Sequence, residues 1–285
     1  MIAPFRIALF IALSIAAYIV TTIVCARVFD ALHVRDTGQL LFPILIAAAL
    51  LVVHYYALRT LERGASWSFV GLGAADATPP LLSGGLVLGV IGIGVPSALL
   101  LVTHQLRAID APAGNWWITA LRGAIFLLPA ALIEELFLRG YVFAVLRQRV
   151  GWKWALIGTS VTFGLLHLNN PESSPQSTLI VIIAGFFLGM VLLATRSLYA
   201  AWMAHFAWNW TMAALLHTAV SGIPVLTPGY RIVSSGPEWL TGGAWGPEGG
   251  FAAGVSMIIL TLFLYGRFVR PALPARPARV TPLHS

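Results

Sequence analysis

Long apolar blocks make up most of this chain, and their length limits what it can fold into. The first block carries no charged residue between Ile7 and Cys25. A helix needs about 20 mostly apolar residues to cross a hydrocarbon core of about 30 Å. Blocks of this kind lie at residues 6–28, 40–59, 81–103, 116–146, 152–168, 177–195, 198–218 and 250–268. The pattern predicts an all-α fold, a polytopic membrane bundle of about eight transmembrane helices around a polar cavity.

The composition agrees with residence in a lipid bilayer. Of the 285 residues, 59% are hydrophobic and only 9% are charged, whereas soluble proteins carry about 25% charged residues. The net charge is +7, but the basic residues are scattered among short loops and the tail, without a basic stripe interleaved with aromatics. We therefore predict the bilayer as a partner and no nucleic acid. The single cysteine, Cys25, excludes an intramolecular disulfide and a cysteine-rich metal site.

The blocks divide the chain into three regions. Residues 1–110 hold N-terminal transmembrane helices without a recognised motif, and residues 111–220 hold the candidate catalytic core. Residues 221–285 hold a loop, the last transmembrane helix and a flexible basic tail.

The basic residues also predict an orientation. With eight spans, the side that carries both termini holds Arg6, Arg59, Arg63, Arg147, Arg149, Lys153, Arg196, Arg267, Arg270, Arg276 and Arg279. The other side holds Arg27, Arg35, Arg107 and Arg231, with Arg122 near that end of the fourth span. Because basic residues concentrate in cytoplasmic loops, both termini are predicted to be cytoplasmic. The Ala- and Arg-rich composition is typical of a bacterial chain, which indicates the bacterial inner membrane.

Two adjacent carboxylates, Glu134 and Glu135, lie in the fourth block. A charge at the bilayer centre costs roughly 2.5–3.5 kcal/mol on insertion scales, so both need partners. Glu135 and Arg139 are four residues apart on one helix face, which predicts an internal ion pair. Glu134 points about 100° away from that face and needs another partner. A helix-packing role would explain Glu135 and Arg139, whereas Glu134 has the position of a general base.

Two histidines and an asparagine lie in later blocks. His167 ends the motif Phe163-Gly-Leu-Leu-His167, and His205 and Asn209 are four residues apart on one helix face. An interhelical hydrogen bond would explain each of these alone. Combined with the glutamates, they can hold a water and stabilise an oxyanion. The same groups suit a divalent metal, because His nitrogen and Glu oxygen are ordinary zinc ligands. On straight helices, Glu134 and His205 would lie at different depths.

Three motifs on successive helices carry a family resemblance. In chain order they are Glu134-Glu135-x-x-x-Arg139, Phe163-x-x-x-His167 and His205-x-x-x-Asn209. With these motifs, residues 115–218 resemble the CAAX prenyl protease 2 and bacteriocin-processing family of intramembrane proteases. The resemblance implies an all-helical membrane fold with a conical, water-filled cavity. It also implies hydrolysis of a peptide bond in a membrane-associated or lipidated peptide or protein.

The resemblance also implies a role for each motif residue. Glu134 with His167 would activate the water. His205 and Asn209 would stabilise the oxyanion. Glu135 with Arg139 would support the site.

The resemblance leaves the mechanism open between a metalloprotease and a metal-free glutamate protease. The site has no third clear histidine, which favours the glutamate mechanism without a cofactor. The alternative is a zinc ion held by Glu134, His167 and His205. Two other functions stay open: a non-catalytic bacteriocin-immunity or binding membrane protein, and a proton-coupled transporter, because intramembrane carboxylates and histidines also form proton relays. The sequence predicts neither the substrate nor the oligomeric state.

Overall fold

The computed structural model describes residues 2–272 except residue 226, with the backbone alone at residues 35–37. The predicted flexible tail begins at Pro271, and its residues from 273 onward lie outside the described residues. The α-helices are α1 (Ala3–Ala31), α2 (Arg35–Tyr56), α3 (Pro79–Val102), α4 (Trp116–Glu135), α5 (Tyr141–Val150), α6 (Trp152–Leu166), α7 (Pro175–Thr195), α8 (Leu198–Trp210), α9 (Glu238–Thr241) and α10 (Phe251–Leu264). Strands β1 (Leu106–Asp110) and β2 (Tyr230–Ser234) form one antiparallel pair.

The protein is an all-α, multi-pass membrane bundle, as predicted. By length and apolar composition, six helical segments of the described chain could cross a bilayer: Ala3–Ala31, Gly38–Leu61, Pro79–Val102, Trp116–Val150, Pro175–Thr195 and Phe251–Ala272. The predicted count of eight is not confirmed. The two other predicted spans correspond to α6 and α8, with 15 and 13 residues. Helix α6 is shorter than the roughly 20 residues that a bilayer crossing needs, whereas α8 continues into the π-helical turn Thr211–Leu216 and comes close to that length.

Single π-helical turns follow the two helices that carry most of the predicted site. The turn Leu136–Gly140 joins α4 to α5, and the turn Thr211–Leu216 extends α8. Such turns occur mostly as isolated insertions in α-helices, frequently at functional sites. At the first one, a Cβ atom on Gly140 would lie 2.6 Å from Nε2 of His54 on α2. Because Gly140 has no side chain, α2 can pack directly against this turn.

Helix α8 packs closely against α3 because small residues line the contact between the two helices. A Cβ atom on Gly85 or Gly89 of α3 would clash with the backbone carbonyls of Ala200 and Ala204 on α8. Both alanines are fully buried. This small-residue face of α3 is therefore a helix-packing face, which allows two backbones to approach closely. This packing keeps α8 away from lipid.

The segment from residue 219 to residue 249 contains more regular structure than the loop that its Gly, Pro and Ser content predicts. It contains β2, α9 and the short 3₁₀ helix Pro247–Gly249. In β2, Ile232 pairs with Ala108 of β1, more than a hundred residues earlier. That pairing partner is distant in the chain, so local composition does not reveal the strand. Near the two ends of the segment, Ser221 donates a hydrogen bond to Glu248, which also accepts one from Trp208 of α8. Both ends therefore lie beside α8.

Candidate active site

The predicted ion pair between Glu135 and Arg139 is present and buried. Nη1 of Arg139 lies 3.3 Å from Oε1 of Glu135, and both side chains have 0% exposure. The guanidinium also donates to the backbone carbonyl of Gly185 on α7 at 3.3 Å, and it lies 4.2 Å from the ring centroid of Phe163 on α6. A buried charge is tolerated when it is paired and hydrogen-bonded, and these contacts pair both terminal nitrogens of the guanidinium, whereas its Nε has no partner among the described residues. Arg139 therefore ties three helices together at one point.

Glu135 also fixes the orientation of His205. Nδ1 of His205 lies 3.0 Å from Oε1 of Glu135. Because Glu135 is paired with Arg139, its carboxylate is the acceptor, so Nδ1 of His205 carries the proton that it donates. The opposite ring nitrogen, Nε2, faces Glu134 at 3.8 Å from Oε2.

His167 is held in a similar way at the end of α6. Its Nδ1 lies 2.7 Å from the backbone carbonyl of Phe163, one turn earlier. A carbonyl oxygen can only accept, so Nδ1 carries a proton. Nε2 of His167 then faces Oε2 of Glu134 at 3.9 Å. The two imidazoles therefore turn the same ring nitrogen toward one carboxylate oxygen.

That oxygen of Glu134 is buried and has no hydrogen-bond partner among the described residues. The side chain as a whole is 40% exposed. Glu134 therefore borders an open space, while its Oε2 atom is buried. The distances of 3.8 and 3.9 Å to the two imidazoles are too long for direct hydrogen bonds. At this spacing, one intervening water can contact all three groups.

The open space is a cavity of about 450 Å³, hereafter the main cavity. Its polar lining includes Glu134, His167, His205 and Asn209. Most of its remaining lining is apolar; these residues come from several helices and the following loop and include Leu50, Phe126, Leu127, Ile133, Phe137, Leu138, Leu166, Val220 and Ile223. Four of the six predicted site residues therefore border one cavity, while Glu135 and Arg139 lie behind it.

Three residues at the site were not predicted from the sequence: Glu248, Ser221 and Trp208. The Glu248 carboxylate accepts hydrogen bonds from the Trp208 indole at 2.8 Å, from the Ser221 hydroxyl at 2.9 Å and from the Ser221 backbone N–H. Burial raises the pKa of Glu248, and the hydrogen bonds from Trp208 and Ser221 oppose that shift. The only sequence signal was an acidic residue directly before an apolar block, within a glycine-rich loop.

The zinc alternative requires Glu134, His167 and His205 to surround one ion. Among residues 2–272, apart from those not described, no three His, Cys, Asp or Glu side chains are arranged to hold a metal ion. Ligand atoms in a tetrahedral zinc site lie about 3.4 Å from one another. Oε2 of Glu134 lies farther than this from both imidazole nitrogens, at 3.8 and 3.9 Å. As placed, these donors do not fit a zinc ion, so the steps proposed below use the side chains alone.

Comparison with known proteins gives a family match over the segment that contains this site. Residues 115–211 match the family model described as Type II CAAX prenyl endopeptidase Rce1-like, which is about a third of the chain. Neither the curated proteins nor the solved structures gave a match. The matched segment contains all six predicted site residues, whereas Ser221 and Glu248 lie beyond its end. Across residues 115–211, the chain is therefore similar to the Rce1-like family of type II CAAX prenyl endopeptidases.

Proposed function

We propose that this protein is an intramembrane endopeptidase that cleaves a membrane-associated or lipidated peptide or protein, with Glu134 activating the attacking water. The observation that carries the proposal is Oε2 of Glu134. This buried oxygen has no hydrogen-bond partner among the described residues, and it faces two imidazole nitrogens across gaps of 3.8 and 3.9 Å. Other buried side-chain atoms of the described residues also lack a partner, but this oxygen differs from them because it borders a cavity and faces two imidazoles that can hold a water with it. The family match over residues 115–211 supports endopeptidase chemistry.

In this mechanism, Glu134 and His167 orient the water together. With Nδ1 of His167 donating to the Phe163 carbonyl, the neutral ring has its lone pair on Nε2. One hydrogen of the water points to Nε2 of His167 and the other to Oε2 of Glu134. The oxygen lone pair is then free to attack the carbonyl carbon of the scissile bond. As the C–O bond forms, Glu134 takes the proton as general base.

The attack places a negative charge on the carbonyl oxygen, and His205 and Asn209 are the proposed donors to it. The Asn209 side-chain amide donates N–H groups. His205 donates from Nε2 when it is an imidazolium, since its Nδ1 proton is already directed at Glu135. Carboxylates on both sides, Glu134 and Glu135, favour this charged form. Fixed donors aimed at a developing oxyanion are commonly the largest contribution to acyl-transfer catalysis.

The tetrahedral intermediate then collapses. The C–N bond breaks, and Glu134 gives its proton to the leaving amine, so the carboxylate is regenerated and a carboxylic acid and an amine leave. Glu135 and Arg139 take no proton in this scheme. They hold His205 in place, and the contacts of Arg139 with Gly185 and Phe163 keep the pair rigid.

The lining of the main cavity supports the proposed substrate class. A cavity of about 450 Å³ with mostly apolar walls is suited to a segment with large apolar groups, either side chains or a lipid. A strongly polar peptide would lose its hydration there without regaining hydrogen bonds. We therefore propose a substrate that is already in the membrane or attached to it. The proposed location is the bacterial inner membrane with both termini cytoplasmic, which the distribution of basic residues supports.

The test is cleavage of a quenched peptide library, including prenylated members, by purified protein in detergent. Wild type is compared with Glu134→Ala and with Glu238→Ala, a control at an exposed carboxylate outside the main cavity. The proposal predicts cleavage by wild type and Glu238→Ala, and none by Glu134→Ala. Cleavage that survives Glu134→Ala contradicts the role of Glu134. Folded wild-type protein that cuts no peptide contradicts the proposed activity and favours the non-catalytic or transport alternatives.

A further inference from the structure

A second, much smaller cavity, hereafter the rear cavity, adjoins the same catalytic groups. Its volume is about 30 Å³, and its lining includes His167, His205 and Asn209, which also line the main cavity. Glu248 lines the rear cavity and is absent from the lining of the main one. A site for one water needs about 10–15 Å³ of space for the centre of a water molecule, and two to four polar partners. The rear cavity meets both requirements.

The hydrogen bonds of Glu248 leave one position for such a water. A carboxylate has about four acceptor positions. Ser221 occupies two of them, with its backbone N–H and its hydroxyl, and the Trp208 indole occupies a third. The fourth position can accept a hydrogen bond when Glu248 is ionised and can donate one when it is protonated. Since Glu248 is only 8% exposed and lines the rear cavity, a buried water is a suitable partner in either state.

A water in the rear cavity would be available for hydrolysis when a substrate fills the main cavity. A substrate segment that fills the mostly apolar main cavity separates Glu134 from bulk water on that side. Hydrolysis consumes one water in each turnover, so water has to reach Glu134 by another path. His167, His205 and Asn209 border both cavities, so a water in the rear cavity would lie against side chains that the proposed mechanism uses.

We propose that the rear cavity is a water-binding site that supplies the hydrolytic water, and that Glu248 is the positioning residue that anchors water there. The supply role rests on the proposed endopeptidase function, whereas the water site itself does not. Glu248 lies outside the family-matched residues 115–211, so the family match assigns it no role. Ser221 and Trp208 set the orientation of its carboxylate and take no part in the reaction.

The first test does not depend on activity. An experimental density map at a resolution that resolves ordered water is obtained for wild type and for Glu248→Gln, both in lipid nanodiscs. The proposal predicts a water within hydrogen-bond distance of the Glu248 carboxylate in wild type. It predicts that this water is displaced or lost in Glu248→Gln. A rear cavity that is closed by side chains, or a water that does not contact Glu248, overturns the water site.

The second test measures supply by kinetics, with a peptide that wild type cleaves. Ala184 lines the rear cavity, so Ala184→Val reduces its volume without removing a polar group. Ala194→Val, on the same helix and also partly buried, is the matched control. The proposal predicts that Ala184→Val and Glu248→Gln lower kcat on the order of 10- to 100-fold with little change in KM. Ala194→Val and Glu238→Gln should match wild type, and Glu248→Asp, which keeps the carboxylate, should recover part of the rate.

The outcomes separate this proposal from the proposed function. If Glu248→Gln lowers only the unfolding temperature and leaves kcat unchanged, Glu248 is structural and the supply role is wrong. If wild type cuts no peptide, the endopeptidase proposal fails together with the supply role, while the density map still decides whether the rear cavity binds water.

Discussion

His205 and Glu135 are joined by a hydrogen bond of 3.0 Å between Nδ1 and Oε1, which connects α8 to α4 at the centre of the candidate site. The same carboxylate oxygen pairs with Arg139 at 3.3 Å. Glu135 is therefore committed to partners within the protein, while its neighbour Glu134 faces the main cavity. Two adjacent residues of one type thus have different environments, and this difference supports a structural role for one and a chemical role for the other.

The contribution of the Glu135–Arg139 pair to stability should be measurable separately from its contribution to cleavage. Arg139→Ala leaves a buried carboxylate without its cation, and breaking a buried pair costs about 3–5 kcal/mol. We expect a clear decrease in unfolding temperature in detergent, followed by tryptophan fluorescence. In the double variant Glu135→Leu with Arg139→Met, apolar groups of similar size replace both charges, so most of the stability should return.

Cleavage should stay abolished in that double variant, because His205 has lost the acceptor that orients it. Wild-type cleavage by the double variant would contradict the role given to the Glu135–His205 hydrogen bond.

The approach of α3 to α8 gives a prediction with an internal control. A side chain at Gly89 would clash with the carbonyl of Ala204, whereas a Cβ atom at Gly84 on the same helix has nothing within 4 Å. Overpacking of a close contact costs about 1–3 kcal/mol. Gly89→Val should therefore lower the unfolding temperature and shift α8, with a loss of cleavage, while Gly84→Val should resemble wild type. Equal behaviour of the two variants would argue against close packing of α3 on α8.

Removal of metal should leave the activity unchanged. Glu134, His167 and His205 are spaced too widely for zinc as placed, and the proposed steps need only side chains and water. We expect the same cleavage rate before and after dialysis against a strong chelator, and less than one equivalent of zinc in the purified protein. Loss of cleavage on chelation, with recovery on addition of zinc, would establish the metalloprotease alternative.

The orientation in the membrane can be tested with single cysteines. After Cys25→Ala removes the native thiol, cysteine is introduced by Asp110→Cys in β1 or by Arg63→Cys in the loop after α2. If both termini are cytoplasmic, a membrane-impermeant reagent added to intact spheroplasts should label the first and spare the second. The reverse labelling pattern would show that the distribution of basic residues predicts the wrong orientation.

Much of this architecture follows from local sequence. The apolar blocks predict the long helices, and the spacing of four residues predicts the Glu135–Arg139 ion pair, because such residues share a helix face. The three motifs also predict which side chains converge. The helices and the ion pair depend on residues close together in the chain, so periodicity and spacing are sufficient to find them, whereas the convergence of the three motifs is what the family resemblance implies.

The features that the sequence did not predict depend on contacts between distant segments. Apolar residues on a lipid-facing helix and on a buried one look alike, so the sequence did not reveal that α8 lies inside the bundle, where none of its residues is exposed. Its central position brings Nε2 of His205 to 3.8 Å from Glu134, where straight spans would have placed the two at different depths. Glu248 was missed for the same reason, because its partners Trp208 and Ser221 lie 40 and 27 residues away.

The role of Glu134 as the base is tested by the initial rate of Glu134→Gln on a peptide that wild type cleaves. The amide keeps the size of the side chain but cannot take a proton from water, so the fold should be preserved. General-base catalysis contributes about 10²–10⁴-fold, and we predict a loss of that size. Glu238→Gln should keep the wild-type rate. A Glu134→Gln variant that cleaves at nearly the wild-type rate would contradict the assignment of Glu134 as the base.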